Sequence, residues 1–404
     1  MDALDIVMNK DQIFPYYQPI LSADRHTIMG YEVLGRIMQE DEPYSLGGFF
    51  QDEGIPEEYH LEVDEWIQVQ ALEAWAQQED PVKLFFNIYP FHFIYDRGEA
   101  LIERMESYQT DEHTIEQIVF DIREQDLFDE SSGLKAFLQY VKSLGIQVAI
   151  DNVRPTGDSL ERLVQLEPDI LKVDMGAFNE DTPTELYREM LHSITMLSRK
   201  MGASLLFERV RSFQQLNVAW RHGARYYQGY YLQKPRSTWL EANALEERLH
   251  KDFYYFMDYE RKKIEAQMAL SETLAERVSS VLKNVETTTD YETLTLSIAE
   301  ELSDLCFRIY ICNADGIQES GNAYRTSDGW AYNPKDKDRN WSWRPYFLEN
   351  IMRMAYEGKG ILSDLYTDIH INERIRTYSY PIKEEAYLFL DIPYDVLFER
   401  DYLL

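Results

Sequence analysis

A TIM-like (β/α)8 barrel with an antiparallel first strand, joined by a long helix to a small α+β domain, is the α/β architecture that this sequence of 404 residues predicts. Three observations carry that reading. In the first 235 residues, seven apolar runs stop on or beside a carboxylate, amide or lysine: Tyr31-Glu32-Val33-Leu34, Leu84-Phe85-Phe86-Asn87, Ile118-Val119-Phe120-Asp121, Val148-Ala149-Ile150-Asp151, Ile170-Leu171-Lys172-Val173-Asp174, Leu205-Leu206-Phe207-Glu208 and Tyr226-Tyr227-Gln228. An α/β barrel gathers the carboxyl ends of its strands at one mouth, so polar groups sharing that address converge. Beyond this region Arg236 to Asp315 contains neither glycine nor proline, and the remainder alternates like an antiparallel sheet.

The elements follow in order. Strands are expected over Ile13–Leu21, His26–Leu34, Val82–Ile88, Gln117–Ile122, Ile146–Asp151, Ile170–Asp174, Ser204–Val210 and Tyr226–Leu232. Only Ser22 to Arg25 separate the first two. A parallel crossover needs about a dozen residues, so this pair must be an antiparallel hairpin. Helical patterns fill later gaps, as in Glu62–Trp75 and Tyr187–Met201. Leu274, Val278, Val281 and Val285 step by four, three and four, a narrow helical seam. A helix from Leu240 to Lys283 would span about 60 Å. It either lies against its own domain or connects, and dimerises, two domains. The expected division is a barrel over 1–240, a connecting helix over 241–285 and a sensor-like domain over 286–404, with strands Phe307–Cys312, Thr377–Pro381 and Ala386–Ile392 and a turn at Asn313-Ala314-Asp315-Gly316.

Composition narrows the function. Hydrophobic content of 45% supports real cores, and the formal net charge of −32 disfavours a nucleic acid polymer, whose phosphates need a basic stripe. Cys306 and Cys312 fall in one apolar run, where strand geometry sets them roughly 20 Å apart, beyond disulfide reach. Free thiols, an amino terminus without a charged-then-apolar leader and no apolar stretch of about 18 residues point to a cytoplasmic protein without membrane insertion. The eight histidines are scattered, and no His-rich or Cys-rich spacing suggests zinc. Glu32, Asn87, Asp121 and Asp151 instead offer four oxygen ligands from four strand ends, which suits a hard divalent cation. Any one of these acids alone reads as a salt bridge or cap. The aromatic-and-charge segments Trp341 to Phe347 and Ser363 to Asp368 read either as core and loop packing or as the lining of a ligand pocket.

From Gln12 to Pro235 these residues resemble the EAL domain family, and the tail, with Trp341 to Phe347, resembles the PAS-like or Cache-like C-terminal domain of its YkuI-type members. The resemblance is carried by Tyr17-Gln18-Pro19-Ile20, Glu32-Val33-Leu34-Gly35-Arg36, Phe86-Asn87, Asp121-Ile122-Arg123-Glu124, Asp151-Asn152, Leu171-Lys172-Val173-Asp174, Glu208 and Gln228-Gly229-Tyr230-Tyr231-Leu232-Gln233-Lys234-Pro235, in that order and spacing. It implies cyclic di-GMP as ligand and Mg²⁺ or Mn²⁺ as cofactor, with Ca²⁺ able to occupy the site. By the same resemblance Glu32, Asn87, Asp121 and Asp151 hold a metal, Glu208 completes the acidic site, and Lys172 sits at the attacking water. Arg36 would grip a phosphate, its alternative being a surface salt bridge. Gln18, Leu34, Gln228 and Pro235 would line the ligand. A homodimer is implied by the family and the seam, and an unknown small ligand is expected for the C-terminal domain.

Four departures from the family pattern bear on activity. Asp121 stands where a glutamate is usual and is shorter by a methylene; Asn152 replaces a second aspartate and brings no charge; Val153-Arg154-Pro155-Thr156 replaces a glycine-rich loop; and Arg211 reverses the charge of an expected glutamate. They erode the machinery that generates hydroxide while leaving ligand-gripping residues intact. The expectation is therefore binding retained and hydrolysis to pGpG weak or lost, the alternative being a competent, metal-dependent phosphodiesterase.

Overall fold

The computed structural model describes residues 3–80, 82–89, 92, 98–125, 134–153, 163–178, 185–284, 290–344, 347–368, 371–383 and 385–400. Arg154, Pro155 and Thr156 of the altered loop, Val285 of the seam, and Pro345 and Tyr346 lie outside them. Contacts divide the chain into two units, residues 1–255 and 256–404.

The first unit is a closed barrel. Strands β1 (Ile13–Ser22), β2 (Ile28–Gln39), β4 (Lys83–Ile88), β5 (Ile118–Arg123), β6 (Gln147–Asp151), β7 (Ile170–Asp174), β8 (Ser204–Glu208) and β9 (Tyr226–Tyr227) follow one another around it, and β1 closes the ring between β9 and β2. Pairing is parallel from β2 through β9 and antiparallel on both sides of β1, with Gln18 opposite Glu32. The short gap at Ser22–Arg25 is thus the hairpin that loop length demanded. Inside the barrel, Ile20, Phe85, Val119, Ala149, Ile170 and Leu206 form one buried cluster, filling the interior so that chemistry is confined to its ends. Helices α1 (Glu57–Trp75), α2 (Glu99–Ser107), α3 (Leu134–Ser143), α4 (Glu185–Met201) and α5 (Phe213–Arg221) occupy the connections.

Two strand expectations need correction. The second strand runs on past Leu34 to Gln39 and turns back as β3 (Glu42–Ser45), a short exposed hairpin with no apolar alternation to announce it. The last strand stops at Tyr227 rather than Leu232. There Gly229, at φ +154°, lets the backbone press on Val210; a Cβ would lie 2.2 Å from the Val210 carbonyl oxygen. The chain leaves the sheet as a turn, with Leu232 and Gln233 N–H groups both donating to the Gly229 carbonyl.

Helix α6, expected over 241–285, spans Glu246–Asn284. Its residues Leu274, Val278 and Val281 are buried with Leu294 and Ile298 of α7 (Tyr291–Glu301) and with Ile309, Ile311, Leu388 and Leu390 of the second unit's sheet. The seam residues are laid against the second unit's own sheet and α7, while the helix as a whole begins in the first unit and runs on into the second.

That sheet is antiparallel, in the order β12 (Gly329–Asn333), β11 (Asn322–Thr326), β10 (Arg308–Asn313), β16 (Ala386–Pro393), β15 (Arg374–Lys383) and β13 (Ile361–Leu362), with β14 (Tyr366–Thr367) also on β15. Its opposite face carries Tyr310, Cys312, Tyr387 and Phe389, which pack against Phe347, Ile351 and Met354 of α8 (Phe347–Glu357). Helix α9 (Tyr394–Arg400) follows β16. The expected turn is present: the Asn313 side chain accepts from the Asp315 and Ile317 N–H groups. Cys306 precedes β10 instead of sharing its strand with Cys312; both thiols are free and buried, and burial pushes both well above their ordinary pKa.

Candidate functional site

Strand pleating decides which polar groups meet. Asn87 and Asp121 are register partners on β4 and β5, while Asp151 ends β6, Lys172 lies on β7 and Glu208 ends β8. Their side chains gather around the Lys172 ammonium. Its Nζ donates to Asp121 Oδ2 at 2.5 Å and lies 3.3 Å from Glu32 Oε2 and 3.4 Å from Glu208 Oε2. Glu32 also accepts from Asn87 Nδ2 at 3.2 Å and from Gln228 Nε2 at 2.6 Å. Lys172 is 1% exposed and Asp121 2%, so water screens the contact between these two weakly.

The electrostatics are unequal. Four carboxylates, counting Asp151, face one ammonium. Burial, the largest influence on Lys172, disfavours its charge, yet Asp121, Glu32, Glu208 and Asp151 outweigh it and hold the amine charged, well above its ordinary pKa. Glu32 stays ionised: burial is outweighed by Lys172, Gln228 and Asn87, and its pKa falls. Asp121 goes the other way, burial together with Asp151 and Glu32 raising it well above the carboxylate range despite Lys172. Burial likewise pushes Glu208 up to about 8, against the pull of Lys172. The cluster thus carries more carboxylates than one cation can balance, and Asp121 Oδ1 and Asp151 Oδ1 are buried without a hydrogen-bond partner among the described residues. A further cation would satisfy both deficits, and the donor set is oxygen throughout. Among the described residues no three acidic, histidine or cysteine side chains stand close enough to hold an ion as they are, and the Lys172 ammonium stands among these carboxylates.

Beside the cluster opens a cleft sharing Asn87 with it and lined also by Leu34, Arg36 and Phe86. Arg36 makes no ion pair among the described residues; its Nη1 donates to the Gly35 carbonyl at 2.8 Å and its guanidinium lies 5.5 Å from the centre of the Tyr16 ring. Gln18 is buried opposite Glu32. Pro235 is held at the barrel by the next residue, Arg236, which exchanges two backbone hydrogen bonds with Tyr17. Asn152 follows Asp151 in a left-handed conformation, φ +58°, which asparagine tolerates better than most residues. Arg211 is exposed; the arginine whose charge acts on Glu208 is Arg209, which is 3.0 Å from Asp174.

The cleft holds residues that reading the sequence missed. Asp64 and Gln68, one turn apart on the buried face of α1, reach its wall, with Asp64 Oδ2 accepting from Gln68 at 2.7 Å and contacting His92 Nε2 at 2.8 Å. Two polar residues four apart among the core positions Val63, Ile67 and Ala71 were the available signal. Phe50 and Tyr89, stacked at 5.4 Å, gave none, since one follows a glycine pair and the other a strand.

The EAL domain profile matches residues 1–235. The chain belongs to the EAL domain family. A second profile, an EAL-domain associated signalling protein domain, matches residues 239–404. The chain is 42% identical over 408 residues to the uncharacterized EAL-domain containing protein YkuI of Bacillus subtilis (strain 168), covering 100% of each. It superposes on the crystal structure of Bacillus subtilis YkuI in complex with substrate c-di-GMP and calcium with a TM-score of 0.91 and 41% identity, over 98% of this chain and 99% of that one. The probable cyclic di-GMP phosphodiesterase PdeN of Escherichia coli (strain K12) is 25% identical over 234 residues, 56% of this chain and 44% of that protein. In this EAL chain the family's name motif is Glu32-Val33-Leu34, and it spans the carboxylate cluster at Glu32 and the cleft at Leu34.

Proposed function

We propose that the EAL barrel binds cyclic di-GMP at a divalent-metal site, with hydrolysis to pGpG weak or lost, and that the C-terminal domain is a PAS-like or Cache-like sensor coupled to it. The observation that carries the reading is the buried excess of carboxylate around Lys172, with two unsatisfied acid oxygens, opening onto a cleft that presents the Arg36 guanidinium. The likeness to YkuI, crystallised with substrate c-di-GMP and calcium, supports the same ligand here. Glu32, Asn87, Asp121 and Asp151 would hold Mg²⁺, Mn²⁺ or Ca²⁺, which when bound lowers the pKa of a coordinated water and offsets charge on a phosphodiester. Arg36 pairs with a phosphate through its planar fork, and Gln18, Leu34 and Pro235 border the nucleotide. Lys172 lends positive charge where the attacking oxygen would stand, and Glu208, 3.4 Å from the Lys172 ammonium, completes the acidic side of the site.

Weak hydrolysis rests on Asp121 and Asn152, which remove reach or negative charge from the cation-binding side and none from the cleft; the exposed Arg211 is not among the charges acting on Glu208. The second reading, a competent phosphodiesterase under control of the C-terminal domain, is favoured by the intact contacts of Lys172 with Glu32 and Glu208. A homodimer in the cytoplasm completes the proposal; among the described residues no helix is long and apolar enough to cross a membrane. Titration calorimetry with cyclic di-GMP and chromatography for pGpG, run on one preparation with and without Mn²⁺, separate the readings. Saturable binding with little pGpG is expected. Stoichiometric conversion within minutes would establish the second reading, and no binding at millimolar ligand would remove both.

A further inference from the structure

We infer that the solvent side of α8 is a docking surface for a second copy of this chain, in an antiparallel helix pair about a two-fold axis at Met352. The inference rests on the homodimer of the proposed function and names the surface that forms it. A helix packed on a sheet needs one apolar stripe, and α8 has two. Phe347, Ile351 and Met354 are buried against Tyr310, Tyr387 and Phe389 of the sheet. Leu348, Met352 and Tyr356, spaced by four, form the second, and they are 63%, 62% and 93% exposed. No other large apolar side chain among the described residues is as exposed as Tyr356.

Shape, charge and area fit this stripe to its own copy. The three residues form a row about 12 Å long at i, i+4 and i+8, the kind of ridge that interdigitates when two helices pack. The row is centred on Met352. An antiparallel copy therefore sets Met352 against the partner's Met352 and Leu348 against the partner's Tyr356, a large side chain opposite a smaller one at both ends. Glu349 and Arg353 lie four apart along one flank of the row, and reversing the helix about Met352 brings Glu349 beside the partner's Arg353 at two equivalent places. A parallel copy would set that flank against Ala355 and leave both charges without a partner across the pair. Within its own helix Arg353 meets Glu357 at 3.7 Å, an exposed contact worth little. The apolar side chains offer roughly 400 Å² per copy, and with Glu349, Arg353 and Ala355 at the rim two copies bury about 1,000 Å², the size at which a specific interface begins. The pair belongs to the weak, concentration-dependent class.

The test is sedimentation of the full chain over about 1–100 µM. Association that grows with concentration is expected. Met352→Asp, which puts two carboxylates on the axis, is expected to weaken it about tenfold or more while the circular dichroism of the fold is retained, because an exposed side chain is replaced. Glu349→Arg alone is expected to weaken it, and Glu349→Arg together with Arg353→Glu to restore it. Met352→Cys is expected to cross-link two chains under mild oxidation, since packed helices bring residues on the axis within disulfide reach and Cys306 and Cys312 are buried; Glu357→Cys, off the row, is expected to do so far more slowly. A monomer at about 100 µM would overturn both this surface and the homodimer, and would mean that a different partner covers the row. The surface alone is overturned, and the homodimer left standing, if the chain associates but Met352→Asp leaves the association unchanged, if the exchanged charges fail to restore it, or if Met352→Cys cross-links no faster than Glu357→Cys.

Discussion

Lys172 is the residue on which the barrel site turns. An ammonium buried among Asp121, Glu32 and Glu208 replaces, in the metal-free chain, part of the positive charge those carboxylates require. The compensation is incomplete, and Glu208 shows it by keeping its proton to about pH 8. Its unfolded pKa is near the ordinary 4.5, so the folded state binds the proton more tightly. That contribution to stability is fully present below about pH 4.5 and is lost as pH rises toward 8. The melting temperature of metal-free protein is therefore expected to fall from about pH 5 to about pH 8, and Glu208→Gln, which has no proton to lose, to flatten the fall. Melts that run parallel for the two proteins would contradict this. Asp121 is raised for the same reason and leaves a residual slope. Arg36→Ala is expected to weaken cyclic di-GMP binding by about 10- to 100-fold, the worth of a charge-assisted pair, with an unchanged melting temperature because no ion pair is broken. Calorimetry beside a thermal melt checks both halves.

Among the elements, the long helix is the one whose role the sequence left open. Periodicity showed a seam at Leu274, Val278 and Val281 but not what would cover it, since a stripe that buries against a sheet and one that buries against a second helix have the same spacing. The residues that cover this stretch are those of the second unit's sheet and α7, while the same helix starts in the first unit. Leu274→Ala is accordingly expected to destabilise the C-terminal unit by about 2–5 kcal/mol, as removal of a fully buried side chain does, measurable in urea unfolding; a cost under about 1 kcal/mol would mean the seam is not core. The strands divide the same way. Apolar runs located β4 to β8 closely, whereas β9 shrank to two residues because Gly229 must approach Val210, a contact distant in sequence. The strands β11 and β12 escaped notice because they are short and show no buried-and-exposed alternation, β11 being exposed over its last three residues and β12 half-buried over its last four.

At the scale of the whole molecule, two units with separate cores imply two cooperative steps. Scanning calorimetry is expected to resolve two transitions, with Mn²⁺ and cyclic di-GMP together raising one and leaving the other in place. A single transition that moves as a whole would show the units to be energetically fused. The barrel, its antiparallel first strand, and the convergence of Glu32, Asn87, Asp121, Asp151, Lys172 and Glu208 were legible in the sequence, because strand period and loop length are local properties that leave a local pattern. Which acid keeps its proton, that Lys172 already stands where a cation is wanted, and that Asp64 and Gln68 join the cleft were decided only by tertiary structure. Burial and distance set those properties, and both are fixed by residues far apart in the chain.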